Sequence, residues 1–357
     1  MDSLTQIALG ATLAAAIAPP SQRRRALVYG AALGTLPDLD VLIRFGDAVA
    51  DFTYHRSFSH SLWVLSALAP LLWLACRHFD AALRRHPRRW LAIFWMALLT
   101  HPLLDAMTIY GTQLLWPFDA TPYGVGSMFI IDPLYTLPLL LAMILVALRP
   151  TGAMAARALP LALALSTAYL GWSVLAQRHV EAHARQALAS AGEAPTLMLV
   201  LPSAFNTLLW RVLVREDGGY REAYYSLLAD DWPGPWRSFD SIDELIPALT
   251  GQWAFDRLRW FTHGFYAIQR EGNDVVLTDL RMGTEPAYVF RFTIAHVVDG
   301  RVVPGASVQQ TPQRPLGSAI GWLLPRIITP GQALPPLDEV LAEPHATRNL
   351  RTSTPPL

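Results

Sequence analysis

Six apolar segments fill the first half of the chain: Leu4 to Ala18, Ala26 to Ile43, Ser61 to Cys76, Trp90 to Thr108, Ile131 to Leu148 and Ala158 to Ala176. A straight helix needs roughly 20 apolar residues to cross a bilayer. Tilt or local thinning of the bilayer completes a shorter span. The pattern therefore predicts a multi-span α-helical membrane protein with about six helices. Hydrophobic residues make up 52% of the chain and charged residues 16%, where soluble domains carry about 25% charged. This balance excludes a disordered chain and an ordinary cytosolic enzyme. The first segment lacks a basic region before it and is followed by Arg23, Arg24 and Arg25. That is the reverse of a secretory signal, so a retained helix is expected.

The arginines orient the bundle. Arg23, Arg24 and Arg25 follow the first segment; Arg77, Arg84, Arg85, Arg88 and Arg89 follow the third; Arg149 and Arg157 follow the fifth. The intervening loops hold only Arg44 and Arg56. The positive-inside rule assigns the arginine-rich loops to the cytoplasm. The other loops, and everything after the sixth segment, then face outward. Every basic residue among the 28 is Arg, which excludes Lys Schiff-base and P-loop chemistry. With 28 acidic residues the net charge is +0, so no nucleic-acid partner is expected. The single cysteine, Cys76, excludes an intramolecular disulfide.

From about Gln177 the pattern changes. The expected domains are a helical metal-site domain over 1–176, a linker helix over 177–194, a β-rich extracytoplasmic domain over 195–312, and an apolar segment with a Pro-rich tail over 313–357. Alternating runs such as TLMLVLP, LLWRVLVRE, YREAYYSLL, WFTHGFYAIQ, DVVLTDLRM and YVFRFTIAHVV, separated by Asp-Gly and Gly-Asn turns, predict a small antiparallel sheet. One helix is expected near Ser241 to Leu249.

Ionisable groups at the ends of membrane helices are costly and mark function. Here they form a set: Asp2, Asp38, Asp40, His55, His60, His101, Asp105 and Asp132. Under the arginine-derived orientation all lie at the outward ends of their segments. His101 and Asp105 are spaced i, i+4 and share one helix face. The candidate metal ligands are Asp38, Asp40, His55, His60, His101, Asp105 and Asp132. Nitrogen and oxygen donors without thiolate suit Zn, with Mn or Fe as alternatives, as one or two ions. Asp40 or Asp105 is the candidate general base. Arg56, with Thr112 and Gln113, is the candidate holder of a phosphate or carbonyl oxygen.

Each residue also has an ordinary reading. Asp132 precedes Pro133 and suits a helix N-cap. Asp38 suits a cap at a helix break. Arg56 could snorkel to the interface. His179 and His183 form His-x-Glu-x-His, which is not the zinc-protease motif, and a solvated helix face is expected there. No Gly-x-Ser-x-Gly elbow occurs.

The segments MDSLTQ, PDLD, HRSFSHS, HPLLD, YGTQLLWPF and IIDPLYT, in this order, together resemble the YdjM-like family of bacterial inner-membrane proteins. The resemblance covers roughly residues 1–176, and WFTHGFYA and DLRMG extend it toward longer members. It implies a membrane-bound, metal-dependent hydrolase centred on Asp38, Asp40, His55, His60, His101, Asp105 and Asp132. The His-x-x-x-Asp pair is similar to those of zinc-dependent phospholipase C and P1 nuclease, an analogy of motif. The expected function is hydrolysis of an ester or phosphoester of a lipid or envelope molecule at the outer face of the inner membrane. The rival expectation is a structural metal site in a non-enzymatic protein whose C-terminal domain binds a partner. Transport is disfavoured because the residues crowd one end instead of lining a path across the membrane.

Overall fold

The computed structural model describes residues 1–231, 234–311 and 316–331. The N-terminal half is helical. Helix α1, Ser3–Ile17, begins at Asp2, whose carboxylate accepts the Thr5 amide at 3.1 Å. This is an ordinary N-cap. Helix α2, Arg23–Thr35, packs against α1 through Gly10, Gly30 and Gly34. A Cβ on Gly10 would lie 2.3 Å from the Gly30 carbonyl oxygen, so the backbones touch where no side chain fits. The segment expected to continue to Ile43 leaves the α-helix at Thr35. Pro37 has no N–H to continue the i to i−4 ladder, and the chain tightens into a 3-10 turn over Leu36–Leu42.

Helix α3, Ala48–Tyr54, is short and capped by Asp47. Helices α4, Leu62–Phe79, α5, Ala82–Arg85, α6, Pro87–Asp105, and α7, Pro133–Leu148, follow. Helix α8 runs unbroken over Ala153–Ser190. Of all these, α4 and α8 are long and apolar enough to cross a membrane; α1 and α7 are apolar but shorter. At 38 residues α8 is about 57 Å long, well beyond a hydrocarbon core of about 30 Å. Its last turns leave the bundle and pack Ala176, Val180 and Ala184 against the β domain. The expected linker is thus the continuation of the sixth helix.

The arginine-rich loops meet at one end. Arg23 and Arg24 donate to carbonyls of Pro150, Ala147 and Leu148, and Arg25 pairs with Asp80. The opposite end holds the start of α1, the entry to α4, the end of α6 and the start of α7, tied by bonds such as Asp2 N to Ile130 O.

The C-terminal half contains two four-stranded antiparallel sheets, each in sequential order, rather than one small sheet. The first holds β1 to β4: Leu197–Pro202, Leu209–Glu216, Gly219–Ser226 and Arg237–Asp240. Helices α9, Ile246–Leu249, and α10, Trp253–Phe261, lead to the second. That sheet holds β5 to β8: Tyr266–Glu271, Asp274–Asp279, Arg291–Val298 and Arg301–Gln309. The run WFTHGFYAIQ, expected as a strand, is divided between the end of α10 and the start of β5. His263 and Gly264, at φ of 53° and 82°, make the break. Phe52 of α3 and Tyr110 pack against Phe261, Phe290 and Phe292, fastening the second sheet to the helical half. Helix α11, Leu316–Ile328, docks on the first sheet, with the Trp322 ring 4.9 Å from Tyr224. The Pro-rich tail beyond residue 331 lies outside the described residues.

Candidate metal centre

Four side chains from distant parts of the sequence converge at the end of the bundle opposite the arginine-rich loops. Asp38 comes from the 3-10 turn after α2, His60 from the 3-10 turn Phe58–His60 before α4, and His101 and Asp105 from the last turns of α6. The Nε2 atoms of His60 and His101 are 3.2 Å apart. Asp105 Oδ2 lies 3.1 Å from the first and 3.4 Å from the second. Asp38 Oδ1 lies 3.4 Å from each. His60, His101 and Asp105 are fully buried, while the Asp38 side chain is 19% exposed.

These distances can be tested against an ion. A tetrahedron with ligand distances of about 2.0–2.1 Å has edges of about 3.3–3.4 Å. The measured separations match that spacing. The tautomers agree as well. His101 Nδ1 is 2.7 Å from the Gly34 carbonyl, which only accepts, so Nδ1 carries the proton. His60 Nδ1 is 2.9 Å from Ser59 Oγ, and that hydroxyl donates to Asp40 Oδ2 at 2.5 Å. His60 Nδ1 is therefore the donor. Both Nε2 lone pairs point into the cluster. Asp105 Oδ2 is buried without a hydrogen-bond donor. Arg56 and the Met1 amino group lie against Asp105, while the two imidazole lone pairs and Asp38 are left facing one another, an arrangement that a cation would relieve. The donor set fits a divalent ion.

Second contacts hold the set in place. Asp105 Oδ1 accepts Gln6 Nε2 at 3.0 Å and the Met1 amino group. Gln6 also bonds the His101 carbonyl. Ser59, Gly34 and Gln6 were not singled out from sequence. Ser59 flanks His60 in HRSFSHS and Gln6 closes MDSLTQ, so the motifs contained the signal.

Other expected ligands lie apart. Asp40 and His55 form a pair of their own, with His55 Nδ1 at 2.8 Å from Asp40 Oδ1. Asp40 Oδ2 accepts the Arg56 amide at 2.9 Å and Ser59 Oγ, which commits both its oxygens. His55 Nε2 has no partner among the described residues, and its side chain is 24% exposed. Asp132 is an N-cap. Its Oδ1 accepts the Leu134 and Tyr135 amides and its Oδ2 accepts Tyr169 Oη at 3.0 Å. Those three bonds hold it on α7, and it is not among the four side chains that converge.

Arg56 does not snorkel outward. It is buried at φ of 62°, with its guanidinium 4.9 Å from the Tyr110 ring and Nε 3.3 Å from Asp105 Oδ2. A left-handed conformation at a non-glycine residue is strained. Among the described residues its Nη1 has no hydrogen-bond partner, and its Nε meets Asp105 as an ion pair outside hydrogen-bond geometry. Gln113 is also buried, and its amide donates to Thr53 O at 3.1 Å. That bond ties Gln113 to the end of α3 just before His55. Thr112 Oγ1 is buried without a partner.

The sequence model of the family described as YdjM inner membrane protein matches residues 1–180. The chain belongs to the YdjM inner membrane protein family. The match spans all six apolar segments and the four converging residues. Inner-membrane residence follows from the family. Among curated proteins and solved structures, none matches the chain.

Proposed function

We propose that this YdjM family member is a metal-dependent hydrolase whose centre opens at the outer face of the inner membrane. The carrying observation is the convergence of two Nε2 lone pairs and two carboxylates at tetrahedral spacing. Asp38, His60, His101 and Asp105 would hold the ion. When bound, a divalent ion, most simply Zn, supplies Lewis-acid polarisation of an ester or phosphoryl oxygen and a water of lowered pKa.

The remaining roles belong to the chain. Asp40 orients His55 through Nδ1, leaving His55 Nε2 to take or give a proton beside the centre. Asp40 is thereby a positioning residue and His55 the better candidate for acid-base work. The unpaired Nη1 of Arg56 is available to an oxygen that gains negative charge. Asp38 is the ligand nearest the surface, and Val41 and Leu42 beside it are 70% and 77% exposed. An apolar lip at the mouth suits an acyl or polyprenyl chain, so the substrate is an ester or phosphoester of a lipid or envelope molecule.

Six crossings with the C-terminal domain in the periplasm are part of the same proposal. The gathering of arginines at the other end supports that orientation. A reporter active only outside the cytoplasm, fused after Ser190, should be active; an inactive fusion would remove the outer-leaflet substrate pool.

A structural site is the second reading, because four protein ligands already complete a tetrahedron. Metal content and hydrolysis of phosphoesters and lipid esters, measured on wild type, His55→Ala and His101→Ala, separate the two. The enzyme reading expects metal without activity in His55→Ala and neither in His101→Ala. Undiminished hydrolysis in His101→Ala sinks it. A metal that raises the melting temperature, with no hydrolysis of any substrate, favours the structural site.

A further inference from the structure

Helix α10 buries Phe255, Leu258 and Phe261 in the core. Trp253, Arg257 and Trp260, spaced i, i+4, i+7, share another face. They line a cavity of about 630 Å³ with Ala120, Gly251 and Asp256. The Arg257 guanidinium carbon is 4.5 Å from the Tyr54 ring centroid and 4.2 Å from that of Trp260. Its Nε donates to Thr53 Oγ1 at 3.0 Å, and Nη2 approaches Thr53 O at 3.5 Å. The Nη1 hydrogens have no acceptor among the described residues.

Among the described residues, Arg237, Arg259, Arg270 and Arg301 of the C-terminal half have no carboxylate partner. Arg211, Arg215, Arg221, Arg281, Arg291 and Arg326 each pair with a carboxylate of the C-terminal half. Arg257 is half-buried and has no such partner among the described residues. Burial pushes its guanidinium below the ordinary value, though an arginine stays charged at neutral pH. Asp256 lines the same cavity, but it is exposed and its Oδ2 accepts the Gly251 amide at 3.0 Å. The free edge of this half-buried cation is open to an anion from outside the chain.

One backbone segment links Arg257 to the residues flanking the centre. Thr53 and Tyr54, which hold Arg257, immediately precede His55 and Arg56. A guanidinium with free hydrogens on one edge grips two oxygens of a planar or tetrahedral anion. At a membrane surface the abundant anion is a headgroup phosphate. We propose that the cavity framed by Trp253, Arg257 and Trp260 binds the phosphate of the substrate, which makes the substrate a phosphorylated molecule. The proposal rests on the hydrolase reading above for the word substrate, and on the cavity alone for the phosphate.

The test uses the full chain in detergent micelles. Binding of glycerol phosphate, acetate, phosphatidic acid and diacylglycerol is measured for wild type, Arg257→Gln, Arg257→Lys and Trp253→Ala, with metal content alongside. Wild type should bind glycerol phosphate if the source is soluble, or phosphatidic acid if it is a lipid, and should bind neither acetate nor diacylglycerol comparably. Arg257→Gln should weaken phosphate binding at least tenfold, and Arg257→Lys and Trp253→Ala less, with metal content unchanged in all three. No phosphate binding by wild type, equal binding by Arg257→Gln, or acetate binding as strong as phosphate overturns the proposal. Absence of metal from the wild type, with Arg257-dependent phosphate binding intact, overturns the hydrolase reading and leaves the phosphate site standing.

Discussion

His60 Nε2 and His101 Nε2 face each other at 3.2 Å, and each ring keeps its proton on the far nitrogen, against Ser59 and the Gly34 carbonyl. With those tautomers neither donates to the other, and a shared cation would join them. Purified protein should therefore carry close to one tightly held divalent ion per chain. Replacing either histidine by Ala should lower metal affinity by two orders of magnitude or more. Chelation should also lower the melting temperature, because the ligands tie the turn after α2, the entry to α4 and the end of α6 together. Elemental mass spectrometry and a thermal melt with and without chelator provide the check; a metal-free wild type that cannot be reloaded removes the centre.

Ser59 relays between His60 and Asp40 and touches no other member of the ligand set. Groups that orient a metal-bound imidazole typically contribute 10–100-fold in affinity or activity. Ser59→Ala should thus weaken metal binding by about that factor, with secondary structure retained. Competition against a chelator of known affinity measures it. An unchanged affinity would mean that His60 is positioned by its backbone turn alone.

Asp132 caps α7 and stands outside the group formed by Asp38, His60, His101 and Asp105. Ala at this N-cap should cost about 1 kcal/mol of stability while leaving metal content unchanged. Asn, which also caps, should restore most of that loss. Loss of metal from Asp132→Asn would return Asp132 to the ligand set, although its bonds to Leu134, Tyr135 and Tyr169 hold it on α7.

The sequence made some of this legible for physical reasons. Apolar runs gave the positions of the six long N-terminal helices because hydrophobic length needs no partner to be read. His101 and Asp105 were legible as a pair because i, i+4 spacing is local. The separation of Asp38 from Asp40 was not legible. Both stand in one PDLD turn, and only the tertiary fold aims Asp38 at His101 while giving Asp40 to His55 and Ser59. Asp132 shows the converse, since its bland reading as a cap was visible beside Pro133 and is the one realised. The end of α10 was hidden because Trp260 and Phe261 open the alternating run, which continues into β5 after only four residues. Its docking on α3, and hence the placement of Arg257 over Tyr54, depends on contacts some 200 residues apart.

The glycine contact between α1 and α2 reaches the centre mechanically. A Cβ on Gly30 would stand 2.2 Å from the Gly10 carbonyl oxygen and 2.6 Å from the Ala14 Cβ. Neither neighbour can yield without moving a helix, since one is backbone and the other is a first side-chain atom. Gly30→Ala should therefore separate α1 from α2 and cost about 1–3 kcal/mol or more. Helix α1 carries Gln6, which bonds both Asp105 Oδ1 and the His101 carbonyl. The same substitution should thus weaken metal binding, although no ligand is touched. Gly171→Ala is the control, because a Cβ there meets nothing within 4 Å and Ala favours helix over Gly. Melting temperature and metal content should both fall in Gly30→Ala and hold in Gly171→Ala. Metal content unchanged in a clearly destabilised Gly30→Ala would show that the ligand set is rigid without α1.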